Sequence, residues 1–162
     1  MNLMMLLEMA ASGFPQRVAV GSPDARLTYG ELFAAAGAVS REFAAGGCER
    51  AALLDVSSLA VPVSLFASAW AGVPFVPLNY RLTGDELDSL LARIKPAYLV
   101  TDAERAGRLK GRDGLVVSER GDFIEGARGG EAARPEWSMD GDDIAILLFT
   151  SGTTGEPKAA VL

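Results

Sequence analysis

Apolar and polar positions along the chain alternate between a period near two and a period near 3.6, and each change of period marks an element. Arg17-Val18-Ala19-Val20 and Arg26-Leu27-Thr28 flank a Pro23-Asp24-Ala25 turn, so they predict two short paired strands. Thr28-Tyr29-Gly30-Glu31 then has the spacing of a capping box, in which a threonine hydroxyl and a glutamate carboxylate satisfy the free N–H groups that open a helix. Leu32, Phe33, Ala36, Val39, Ser40 and Phe43 follow at helical spacing, and Gly46-Gly47 ends the helix. The apolar run Ala51–Val56 suits a buried parallel strand. Ser57 or Ser58 is placed to cap the next helix, Leu59 to about Ala71, with Pro62 near its first turn. That helix is apolar almost all round, which predicts burial on more than one side. Gly72 stops it, and Val73–Leu78 reads as the next strand.

The pattern repeats downstream. Thr83-Gly84-Asp85-Glu86 is a second capping box, Leu87, Leu90, Leu91 and Ile94 share one helical face, and Pro96 ends that helix. Ala97–Val100 predicts a strand, Thr101-Asp102-Ala103-Glu104 a third capping box opening a short polar helix, and Leu115–Val117 another strand. From Glu119 to Asp142 the chain is polar and glycine-rich without a steady period. It reads as a short helix and a long surface loop, with Trp137 anchoring the loop to the core. Ile144–Phe149 is a final strand-like run. Strands alternating with helices predict an α/β layered fold with a mostly parallel sheet and flanking helices. Ligand sites in such sheets gather beyond the C-terminal strand ends. Asn79-Tyr80-Arg81 falls at one such end, and a turn carrying a solvated arginine is the favoured reading there over a ligand contact.

Composition narrows the function. With 162 residues, 49% apolar and 22% charged, the chain is long enough for one domain with a real core. The net charge of −6 and the lack of a basic stripe argue against a nucleic-acid partner. They also require that any polyanionic ligand be held by local donors, and by a metal ion, instead of by the global field. Without histidine there is no imidazole base, and the lone Cys48 has no partner for an internal disulfide. The opening Met1–Ala11 lacks a basic region and contains Glu8, so a helix is expected there instead of a signal peptide. No stretch is long and uncharged enough to span a membrane, because Gly72 and Pro74 interrupt the apolar run from Leu59 to Val76. A cytoplasmic location is the expectation.

The chemistry concentrates at the end of the chain. Behind the last strand come Thr150, Ser151, Gly152, Thr153, Thr154, Gly155, Glu156, Pro157 and Lys158. A cluster of this kind between apolar runs is ordinarily a plain turn. Here four hydroxyls, two glycines and a cation follow a buried-looking strand, and that set suits phosphate. Hydroxyls donate hydrogen bonds, glycines let the backbone approach closely, successive N–H groups form an anion nest, and the lysine adds a point charge. The spacing is not that of a common P-loop, which requires Gly-Lys followed by Ser or Thr, whereas Lys158 follows Pro157 and precedes Ala159.

This string, Thr-Ser-Gly-Thr-Thr-Gly-x-Pro-Lys, resembles the signature loop of the adenylate-forming enzymes, which include acyl-CoA synthetases and the adenylation domains of peptide synthetases. Ala159 stands where that family usually has glycine. Thr28-Tyr29-Gly30-Glu31-Leu32, Trp70 through Asn79 and Asp143-Ile144-Ala145 are similar to the family as well. The Pro77-Leu78-Asn79 ending looks more like the acyl-CoA synthetases. The resemblance implies the N-terminal part of the large domain of an adenylate-forming enzyme, with residues 1–162 as a single subdomain and the rest of the architecture absent. It implies a parent that activates a carboxylic acid, a fatty acid in particular, with ATP and Mg²⁺ to an acyl-adenylate and pyrophosphate, then passes the acyl group to coenzyme A. Thr150 to Gly155 and Lys158 are implied to wrap the β- and γ-phosphates, and no catalytic or metal-binding residue is assigned within the chain. The 162 residues alone are expected to be inactive and, with apolar strand edges exposed, to self-associate. Two alternatives stay open: a non-catalytic remnant or interaction module of the same fold, and a ligase or adenylation domain that loads a carrier protein.

Overall fold

The computed structural model describes residues 3–130, 142–150 and 158–162, giving only the backbone of Thr150 and Lys158. An opening helix, α1 (Leu3–Gly13), precedes the antiparallel pair β1 (Val18–Gly21) and β2 (Arg26–Thr28). Helix α2 (Tyr29–Ala45) starts at the expected capping box. The Glu31 amide donates to the Thr28 hydroxyl at 3.2 Å, and the Thr28 amide donates to the Glu31 carboxylate at 2.7 Å.

β3 (Arg50–Leu54), α3 (Ala60–Ala71), β4 (Phe75–Pro77), α4 (Gly84–Ile94), β5 (Ala97–Thr101), α5 (Ala103–Leu109), β6 (Leu115–Glu119) and α6 (Arg120–Arg128) follow in alternation. The four strands form one parallel sheet in the order β4-β3-β5-β6. The α/β layered fold, its mostly parallel sheet and its flanking helices are as the pattern predicts.

Strand side chains alternate between the two faces of the sheet, and this divides the core in two. Ala51, Leu53, Phe75, Tyr98 and Val100 pack on one face beneath α1, α2, α3 and α6. Ala52, Leu54, Val76, Ala97 and Leu99 pack on the other with Leu87, Leu90, Leu91 and Ile94 of α4 and Leu109 of α5. Helix α3 has no exposed residue, which answers to its apolar circumference. Its C-terminus is closed by Gly72 in the left-handed region, φ 72°, a conformation that costs a residue with a Cβ.

Two expectations are corrected. The third capping box does not form as read. Thr101 is the last residue of β5, and its hydroxyl donates to the Leu54 carbonyl at 2.7 Å in the core. Asp102 caps α5 instead, accepting from the Arg105 amide at 3.0 Å. The third strand ends at Leu54, so Asp55 and Val56 lie beyond it. The short helix expected in the segment after Glu119 is present as α6 (Arg120–Arg128). Glu119 caps α6 through the Gly121 and Asp122 amides, and Phe123 and Ala127 are buried against the core. Trp137, the predicted anchor, lies outside the described residues.

Candidate phosphate-binding site

The C-terminal edge of the parallel sheet is where the polar side chains collect. Asp55 follows β3 and is buried, and both its carboxylate oxygens lie 2.9 Å from Nη1 of Arg120 at the start of α6. This pair ties the strand end to the helix that follows β6. Burial by itself would raise the Asp102 carboxyl. The backbone amide and the guanidinium of Arg105 outweigh that and hold it below the usual carboxylate range. Arg105 also donates through Nη2 to the Tyr80 carbonyl at 2.7 Å, so the turn after β4 is held to α5. Arg81 is exposed. Its Nε donates to the Tyr80 hydroxyl at 3.1 Å and its guanidinium lies 5.4 Å from the ring centroid, an intramolecular arrangement that agrees with the favoured reading of a solvated turn.

The strand that leads to the predicted loop runs beside β4 toward this same edge. The amide of Phe75 donates to the Ala145 carbonyl at 2.9 Å, and Ile146 forms a parallel bridge with Phe75. The chain therefore runs alongside β4 in the same direction, and β7 (Leu147–Thr150) ends on the C-terminal side of the sheet. β7 pairs antiparallel with β8 (Lys158–Val161) in the register Leu147–Val161, Leu148–Ala160, Phe149–Ala159 and Thr150–Lys158.

Of the predicted site residues, the structure brings together Thr150 and Lys158, whose backbones are paired. Ser151, Gly152, Thr153, Thr154 and Gly155 lie between them and outside the described residues. Among the described residues, no three His, Cys, Asp or Glu side chains gather to hold a metal ion. Cys48 is buried, and burial raises its thiol, which agrees with an inert side chain. Tyr98 is pushed up to about 12 by burial, with the Glu42 charge adding to the effect against a Ser118 hydrogen bond. Its hydroxyl donates to Glu42 at 3.1 Å, a contact between α2 and β5 away from the loop. Sequence reading passed over the Asp55–Arg120 pair because its partners stand 65 positions apart.

The chain belongs to the family of AMP-binding enzymes, whose model matches residues 7–162. It is 33% identical over 162 residues to the phosphinothricin tripeptide synthetase PhsC of Streptomyces viridochromogenes, covering 97% of this chain and 15% of that protein. It is 32% identical over 152 residues to a feruloyl-CoA synthase of an Amycolatopsis species, covering 91% of this chain and 30% of that protein. Among solved structures, ATP-bound MatB from Rhodopseudomonas palustris is 28% identical. Its TM-score is 0.77, with 100% of this chain and 35% of that one covered. These 162 residues thus have the fold of the N-terminal part of an adenylate-forming enzyme. They span about a third or less of the length of the relatives they match.

Proposed function

We propose that this chain holds the β- and γ-phosphates of ATP in an ATP-dependent acid–thiol ligase, with Thr150, Ser151, Gly152, Thr153, Thr154, Gly155 and Lys158 as the phosphate-binding residues. The observation that carries this reading is the pairing of Thr150 with Lys158 on the C-terminal side of a parallel sheet. It joins the two ends of the hydroxyl- and glycine-rich segment where α/β sheets bind ligands. The donor set suits a polyphosphate: hydroxyls, backbone N–H groups and one ammonium, with no carboxylate between Thr150 and Lys158 except Glu156.

In the proposed reaction a carboxylate oxygen bonds to the α-phosphorus of ATP, and the bond to the bridging oxygen breaks. Pyrophosphate leaves with the electron pair of that bond. A thiol then takes the acyl group and AMP departs. The loop's part is electrostatic: its donors and the Lys158 ammonium stabilise the charge that gathers on the departing pyrophosphate. Magnesium would be held through phosphate oxygens, and no described residue is assigned to it.

Coenzyme A is the proposed acceptor and a fatty acid the proposed substrate class, with the cytoplasm as location. The feruloyl-CoA synthase match and the Pro77-Leu78-Asn79 ending support coenzyme A. The match to PhsC, a peptide synthetase, at similar identity keeps a carrier-protein thiol as the second reading. The 162 residues are proposed as one subdomain that binds phosphate without completing adenylation. Carboxylate-dependent ATP–pyrophosphate exchange by this chain is expected to stay at background, and exchange clearly above it would overturn that part of the proposal.

Self-association belongs to the same reading. Ile144, Leu148, Val161 and Leu162 are 36–64% exposed on and beside the β7–β8 hairpin, and apolar strand edges invite pairing. Sedimentation is expected to show a dimer or larger species. A monomer at every concentration would contradict it.

A further inference from the structure

The β7–β8 hairpin is held to the main sheet by few backbone contacts. Among the described residues, the strand pairing of this segment with β4 is the single Phe75–Ile146 bridge, one residue before β7, and β7 itself pairs with β8. The position of the strand that leads to Thr150 therefore depends on side chains. Leu147 and Phe149 share one face of β7 and pack on the cluster built by α4, β4 and β5. Leu148, on the other face, is 36% exposed. Phe149 is half-buried, and Arg93, near the C-terminal end of α4, lies over its ring with the guanidinium carbon 5.5 Å from the ring centroid. A guanidinium at that distance is attracted by the negative face of the ring.

We propose that Arg93 is a positioning residue for the phosphate loop: by clamping the Phe149 ring it fixes the end of β7, and with it Thr150, relative to the C-terminal edge of the sheet. This rests on the reading of the loop as the ATP phosphate site. Arg93 acts through Phe149, the residue immediately before the loop, and its exposed place on α4 lets it be replaced without opening the core.

The test separates the clamp from the phosphate reading. Arg93→Ala is expected to speed backbone amide exchange at residues 148–150 and 159–161 by about two- to fivefold, the factor that matches an exposed cation–π contact. The melting temperature should stay close to that of the unsubstituted chain. Mg-ATP affinity should fall by a similar factor. Arg93→Lys, which keeps a cation over the ring, should restore most of both effects, and on a Phe149→Leu background Arg93→Ala should add nothing. Unchanged exchange in Arg93→Ala, or an equal effect on the Phe149→Leu background, overturns the clamp. Faster exchange with unaltered Mg-ATP affinity overturns its role in positioning the loop. If the unsubstituted chain binds no Mg-ATP, the phosphate reading fails, and the exchange arm alone still decides whether Arg93 holds the hairpin.

Discussion

Trp70→Ala is expected to cost about 3–5 kcal/mol of folding stability, a large share of the roughly 5–15 kcal/mol available to a domain of this kind. Trp70 is 2% exposed and sits where α3 crosses α2. Its ring lies against Phe33 with centroids 4.9 Å apart at a tilt of 46°, so truncation removes both a large buried area and an aromatic pair. The seam has a second side. A Cβ placed on Gly37 of α2 would stand 2.9 Å from Cη2 and 3.2 Å from Cζ3 of the Trp70 ring. That explains a glycine in the interior of a long helix, where it otherwise costs about 1 kcal/mol against alanine. Gly37→Ala should therefore destabilise by about 1–3 kcal/mol despite its better helix propensity. Combined with Trp70→Phe, which frees space at the contact, it should cost less than the sum of the two single changes. Urea unfolding followed by circular dichroism measures the unsubstituted chain and the four variants. Additive effects would show that Gly37 and Trp70 do not share the contact described.

Much of this fold is written in local pattern. The capping boxes at Thr28 and Thr83 form as spaced, because N-terminal capping needs only residues three positions apart. The apolar face of α4 and the apolar circumference of α3 are equally local, and they match the burial seen. The readings that changed are those decided by distant partners. Thr101 has the sequence of a cap, but its hydroxyl is taken by Leu54, 47 positions away. The short helix expected after Glu119 is present, and what seats it on α2 and α3 is the burial of Phe123 and Ala127. Gly37 carries no signal of its own, since its role exists only because Trp70 arrives across the helix seam.

The site divides along the same line. The chemistry proposed for the loop rests on the sequence, where hydroxyls, glycines and a lysine are consecutive. The placement of its two ends comes from the parallel bridge to β4 and the register of β7 with β8. The ion pairs at the sheet edge escaped notice for a related reason. Asp55 and Arg120 meet only because β3 and β6 lie on either side of β5 with their C-terminal ends together.

The larger functional effect is expected at Lys158. Its backbone pairs with that of Thr150, so the two residues that bound the loop stand level on the hairpin. The chain's net charge of −6 offers no general attraction for a polyanion, which leaves the phosphates dependent on donors within the loop. A hydrogen bond to a charged group is worth about 1.5–3 kcal/mol, so Lys158→Ala should weaken Mg-ATP binding by about tenfold or more. The strand pair is held by backbone pairing in the register from Leu147–Val161 to Thr150–Lys158, so the substitution should leave the fold intact. Calorimetric titration of the unsubstituted chain and of Lys158→Ala with Mg-ATP is the most direct test. The account predicts saturable binding by the first and a loss of about tenfold or more in the second. Equal affinity in the two proteins, or no binding by the unsubstituted chain at millimolar Mg-ATP, would contradict it.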